Sequence, residues 1–228
     1  MPIKTLIDKV DTFELVRDEI GAILLTEFTQ QVQLATAAGR ADASLWDVRV
    51  FTERASPWSE WLDLPDTETN QTPATPIVNV WFNGATFDMS ASNVVERQKA
   101  TGTYYVDCYA YAPAADEVLG GHRPGDERAA LEVHRVVRLV RNILMAGTYT
   151  YLGLRGTVWR RWIPSIEIFQ PPTEQRAAQM IGAARVSLQV EFSEYSPQYD
   201  GPPLELISVA VKRAETGQLY FKASYPHT

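Results

Sequence analysis

From Arg185 to Glu194 the chain alternates without interruption: Val186, Leu188, Val190 and Phe192 are apolar, and Ser187, Gln189, Glu191 and Ser193 are polar. A two-residue period fits a strand with one buried face, because successive side chains point to opposite sides of a sheet. Few other features restrict a chain so tightly. The segment must sit in a sheet with one face covered, and the rest of the sequence must supply both the neighbours and the cover.

The cover is legible as helix. Between Asp11 and Ala38, the residues Phe13, Val16, Ile20, Ile23, Leu24 and Phe28 recur at three- and four-residue steps, with Asp11 or Thr12 to cap the start and Gly39 to end it. Glu27 and Gln31 then fall on the continuation of that apolar face, so the last turns are expected to leave the core for solvent, with contact to another subunit as the second reading. A second amphipathic helix is expected from Asp126 to Ala146, stopped by Gly147. Its apolar arc holds Ala129, Val133, Val136, Val137, Val140, Ile143 and Leu144, and its polar arc holds His134, Arg135, Arg138 and Arg141.

Further strands surround these helices. Ile77–Phe82 reads as a strand ended by the turn signal Asn83-Gly84. Thr103–Tyr111 reads as another, with Tyr104, Val106, Cys108 and Ala110 on a core face and Tyr105, Asp107, Tyr109 and Tyr111 on a face covered by something polar-tolerant. Val158–Gln170 is expected as a strand bent or bulged at Pro164, followed by a short helix from Thr173 to Ile181 stopped by Gly182. The proline- and threonine-rich run from Arg54 to Pro76, holding Trp58 and Trp61, is expected as a long irregular insertion. Pro197–Pro203 reads as a linker, after which Leu204–Arg213 and Gln218–Tyr225 flank Ala214–Gly217 as a β-hairpin. The expected fold class is α+β, with a domain over 1–196 and a linker and hairpin extension over 197–228.

Composition narrows the function. The 228 residues carry 21 Lys+Arg against 28 Asp+Glu, a net charge of −7, which argues against a general nucleic-acid footprint. Sixteen of the basic residues are arginine, and 24 residues are aromatic, a usage that leans towards protein interfaces. No run of apolar residues is long enough for a membrane-spanning helix, and Met1-Pro2-Ile3-Lys4 opens no basic-then-apolar signal region. Asn70-Gln71-Thr72 matches a glycosylation sequon that has no meaning without export.

Reactive groups do not converge in the sequence. Cys108 is the single cysteine and lies on the apolar strand face, where a thiol packs rather than reacts. His122, His134 and His227 have no partner at metal-ligand spacing, so neither a metal nor another cofactor is expected. Gly120–Gly125 lacks the spacing of a phosphate cradle, and Asp126-Glu127 would repel an anion there. Asp107, between Tyr105 and Tyr109, is the nearest approach to a tuned carboxylate, and its simpler role is to accept hydrogen bonds on a polar sheet face. The remaining oddities are Arg135, Arg138 and Arg141, and the cluster Trp159-Arg160-Arg161-Trp162. They fit three readings: nucleic-acid contacts, a solvated helix face with Trp159 and Trp162 as core or sheet-edge packing, or arginines that meet acidic residues of an identical neighbour across a ring interface. The candidate interface set is Trp58, Trp61, Tyr105, Tyr109, Arg135, Arg138, Arg141, Arg160 and Arg161.

The stretch Glu127-Arg128-Ala129-Ala130-Leu131 through Asn142-Ile143-Leu144, followed by Arg185–Phe192, resembles the tail terminator, or tail completion, proteins of long-tailed bacteriophages. The likeness runs in element order from about Phe13 to Tyr195. It implies a mainly antiparallel sheet packed by helices, with the 54–76 segment and the C-terminal hairpin as elaborations. It also implies a hexameric ring that caps the tail tube, stops its polymerisation and meets the head or neck proteins, with no catalytic residue. The chain is then expected in the virion, assembled in the host cytoplasm, with DNA passing through its lumen unbound. Two alternatives stay open: another neck, connector or tail-tube ring component, and a hydrolase with a dispersed carboxylate site.

Overall fold

A computed structural model of the chain describes residues 6–62, 74–88, 97–116, 121–171 and 180–195, with the backbone of 206–212 and 219–226. The chain divides into a larger unit, Ile7–Ser196, and a smaller one that takes in the C-terminal segment from Pro197. The architecture of the larger unit is α+β, as its periodicities require. Its helices are α1 (Thr12–Ala37), a single turn α2 (Ser59–Leu62) and α3 (Gly125–Leu144). Its main strands are β1 (Arg49–Thr52), β2 (Ile77–Phe87), β3 (Arg97–Tyr111), β6 (Val158–Phe169) and β7 (Ile181–Tyr195), and the short strands β4 (Ala115–Asp116) and β5 (His122–Arg123) pair apart from them.

The main sheet runs in the order β1-β2-β3-β7-β6. Its pairs are antiparallel except β1 with β2, so the sheet is mixed. That one parallel pair explains the proline-rich run. Parallel neighbours cannot be joined by a tight turn and need a crossover of a dozen residues or more. The segment that reads as an insertion in the sequence is the crossover that returns the chain for β2 to lie beside β1.

One face of the sheet carries the main core. Val78 and Val80 of β2, Tyr104, Val106, Cys108 and Ala110 of β3, and Val186, Leu188, Val190 and Phe192 of β7 are all fully buried there. Val16, Ile20, Leu24 and Phe28 of α1 and Val133, Val136, Val140 and Leu144 of α3 close over them. Asp11 is the N-cap of α1, and its backbone N–H donates to the Glu14 carboxylate at 3.2 Å. Glu194, at the far end of β7, accepts from the Thr12 N–H at 3.0 Å, placing a carboxylate on the positive end of the helix. Gly39, at φ +66°, ends the helix in the left-handed region.

The structure departs from the sequence expectations at four places. Asn83-Gly84 does not end β2; the strand continues to Phe87 through a register shift between Phe82 and Gly84. A bulge and a hairpin turn both demand a residue free to take positive φ, here Gly84 at +143°, so one signal serves either. β3 begins at Arg97, six residues before the expected start, because pairing with β7 carries the polar run Arg97–Lys99 into the sheet. Gly182, expected as a helix stop, lies inside β7, where an added Cβ would meet the Ala129 carbonyl oxygen at 3.0 Å, so its smallness lets α3 sit close. The helix expected at Thr173–Ile181 falls mostly outside the described residues, and Ile181 itself belongs to β7. Pro164 behaves as expected, at a register shift between Trp162 and Ser165 on the edge strand.

In the smaller unit, β8 (Leu206–Lys212) pairs antiparallel with β9 (Leu219–Pro226), which is the expected hairpin; its Ala214–Gly217 turn lies outside the described residues. No helix of the described residues is long and apolar enough to cross a membrane.

Candidate functional site

The second face of the sheet is built in cross-strand rows. Register places Asn79, Asp107, Arg185 and Glu167 in one row, flanked by Ile77, Tyr109, Ala183 and Phe169 on one side and Trp81, Tyr105, Ser187 and Ser165 on the other. Asp107 is 1% exposed, and the Arg185 guanidinium grips it with two bonds, Nε to Oδ1 at 2.7 Å and Nη2 to Oδ2 at 2.8 Å. The Tyr109 hydroxyl donates to the same carboxylate at 3.2 Å. Arg185 lies 4.1 Å from the Tyr105 ring centroid, so the cation is held by charge on one side and by an aromatic face on another. Hydrogen bonding to Asp107 pushes the Arg185 pKa up. Burial first, and the Asp107 charge second, pushes the Tyr109 phenol above its ordinary value. The expected polar-tolerant cover over the tyrosine face is therefore partly this ion pair.

The rest of that cover comes from the crossover. Trp58 and Trp61 are buried against Tyr109 and Tyr111, with ring centroids 5.2 and 6.1 Å apart, and Ile77, Ile181 and Ala183 complete a second small core. Three members of the candidate interface set, Trp58, Trp61 and Tyr109, are thus spent inside the subunit. Tyr105 lies beneath Arg185, also committed internally.

The arginines separate by what they touch. Arg161 donates to the Ala146 carbonyl at 2.6 Å and to that of Leu144, so it caps the C-terminal end of α3 from the neighbouring strand; burial lowers its pKa. Arg135 is paired with Glu132, leaving its Nη1 buried without a partner. Arg160 stacks on Trp162 with its guanidinium 4.6 Å from the ring centroid and lies 3.6 Å from Glu191. Arg138 and Arg141 stand on the outer face of α3, exposed and with no charged partner among the described residues. Sequence periodicity identified the arginine stripe but could not tell which members of it remain free.

Two features escaped the sequence reading. The edge of the sheet at β6 exposes Trp159, Ile166 and Ile168, the last 61% exposed, on a strand whose outer edge is unpaired among the described residues. Near its start, Ser193 Oγ accepts both the Trp159 indole N–H at 3.0 Å and the Arg97 Nε–H at 2.8 Å, and Arg97 lies over the Trp159 ring. A cleft of about 670 Å³ opens where the start of α3 faces the end of β6 and the start of β7. His122, Asp126 and His134 lie on one wall and Ile168, Phe169 and Ile181 on the other, and its described lining residues offer one carboxylate and no hydroxyl or thiol. Cys108 is fully buried, and burial pushes its thiol well above the ordinary range. No group of three or more metal-ligating side chains forms among the described residues.

Geometrically, then, the described residues present a locked polar row, an apolar strand edge and an arginine-bearing helix face. Neither a protein-family model nor a curated protein sequence matches the chain.

Proposed function

We propose that this chain is a structural virion protein whose copies form a ring that caps the tail tube of a long-tailed bacteriophage, ends tail polymerisation and joins the tail to the head or neck. The observation that supports it most is the β6 edge. A strand whose outer edge is unpaired among the described residues, and which carries Trp159, Ile166 and Ile168 in solvent, is a surface that water disfavours and that a second protein surface would cover. Repeated head to tail with a rotation that divides the circle, such a contact closes into a ring. The stretches Glu127–Leu144 and Arg185–Phe192, which carry the resemblance to tail terminators, form the helix and strand at the centre of the main core. The net charge of −7 suits a channel wall, because an acidic lumen repels phosphate and lets DNA pass.

Native mass spectrometry and negative-stain electron microscopy of the purified chain test this reading. The expected result is a closed ring of six copies that, added to a polymerising tail tube, stops its growth. A strictly monomeric chain that leaves tube length unchanged would overturn it. A ring that binds particles without limiting tube length would instead place the chain in the neck or connector.

A further inference from the structure

The outer faces of α1 and α3 are complementary, and we infer that the outer face of α3 in one copy docks against the outer face of α1 in the next. The inference rests on the reading of the chain as a self-associating subunit, but it needs no particular position in the particle.

Ordinarily a helix packed on a sheet is apolar on the inside and polar on the outside. α3 departs from that rule at Leu131 and at its C-cap Met145, and α1 departs from it along its outer stripe. Opposite its buried stripe, α1 exposes Leu15, Ala22 and Leu25, with Asp18 among them. Its charge is one-sided too: Glu14, Asp18, Glu19 and Glu27 stand against a single basic residue, Arg17. Arg17 pairs with Asp18 at 2.8 Å and leaves that carboxylate more than half exposed, whereas Glu14 and Glu27 accept hydrogen bonds from Asp11 and Tyr149. The outer stripe of α3 runs Leu131, His134, Arg138, Arg141 and Met145, all exposed. From His134 to Leu144 that helix carries three arginines and no carboxylate. One face is therefore apolar and acidic, the other apolar and basic.

Spacing matches as well as charge. The α3 stripe advances by three, four and three residues from Leu131 to Arg141, and α1 retreats by the same steps from Leu25 through Ala22 and Asp18 to Leu15. Laid antiparallel, the two stripes bring Leu131 to Leu25, His134 to Ala22 and Arg138 to Asp18, with Arg141 beside Leu15 and Glu14. Matched three- and four-residue ridges are what let two helices interlock. The small Ala22 allows close approach at the centre, and Arg138 meets Asp18 at the rim of the apolar contact. α1 and α3 lie side by side in one layer on the same sheet face, so both stripes point away from the sheet and are open to a second copy.

A charge swap on the full-length chain tests the contact. Arg138→Asp alone is expected to weaken self-association about tenfold by analytical ultracentrifugation, as is Asp18→Arg alone, and the two together are expected to return the affinity to within about threefold of the parent. Leu25→Asp should weaken it further, and circular dichroism should show each variant folded, since all three side chains are exposed. If neither single swap changes the affinity of an oligomeric parent, or the double swap restores nothing, this contact is wrong while the ring reading stands. A parent that stays monomeric would overturn both. Duplex DNA binding that Arg138→Asp abolishes, with self-association unchanged, would show the stripe to be a nucleic-acid surface and overturn the docking.

Discussion

At the scale of single residues, the Asp107–Arg185 pair is where the most depends on one contact. The two lie 78 positions apart in the chain and are brought together by the register of β3 with β7. Arg185→Ala leaves a buried carboxylate with only the Tyr109 hydroxyl for support, and an unpaired buried charge costs about 3–5 kcal/mol. Because a third of the Arg185 side chain reaches solvent, the expected loss lies near the lower end, about 3 kcal/mol in urea unfolding. Asp107→Asn, which removes the charge and keeps the shape, should cost less. Cys108, Tyr104 and Tyr109 set the alkaline limit. Burial raises the pKa of all three above ordinary values of 9.0 for the thiol and 10.0 for the phenols. Below pH 9 both folded and unfolded states keep these protons, so the stabilisation is whole. Above it the unfolded chain ionises first, and stability falls as pH rises. Thermal melts between pH 7 and 11 should show that decline, and Cys108 should resist a thiol reagent at pH 8 until the chain is unfolded.

At the scale of elements, α3 is held at both ends by other parts of the fold. Its C-terminal carbonyls are capped by Arg161 from β6, across 15 and 17 positions of sequence. Arg161→Ala should cost about 1.5–3 kcal/mol, with the last turn losing amide protection in hydrogen exchange before the rest of the helix, and Arg161→Lys should recover part of it. At its other end, α3 rests on β7 over Gly182. Gly182→Ala puts a methyl against the Ala129 carbonyl and the Val133 side chain, so the helix must lift and the midpoint of thermal unfolding should drop by an amount corresponding to about 1–3 kcal/mol. Past Phe28 the last turns of α1 are mostly exposed, as expected, with Ala35 alone among them buried, and Glu27 accepts a hydrogen bond from Tyr149, which pushes that phenol up.

At the scale of the whole molecule, the larger unit contains the entire five-stranded sheet, both long helices and both apolar clusters. Deleting residues 197–228 should therefore leave a cooperatively folded protein whose thermal midpoint, measured by calorimetry, stays within a few degrees of the parent. A large drop would mean that the hairpin completes the fold. Much of this architecture was legible in the sequence because it is periodic: the alternation at Arg185–Glu194 predicted β7, and the two apolar stripes predicted α1 and α3. Local chemistry supplied Asp11, Gly39 and Pro164, whose capping and bulge roles depend on the residue itself. Partnership was not legible, since it depends on what the chain brings near. Trp58 and Trp61 read as interface residues until a crossover folded them onto Tyr109 and Tyr111, and Arg161 read as interface until its strand aimed it at the end of α3. The sequence by itself determined which residues must hide from water, because hydrophobic periodicity is a property of the chain alone. Only the tertiary structure decided which charges remain free to meet another surface, because an arginine's availability is set by the carboxylates and carbonyls that folding places beside it.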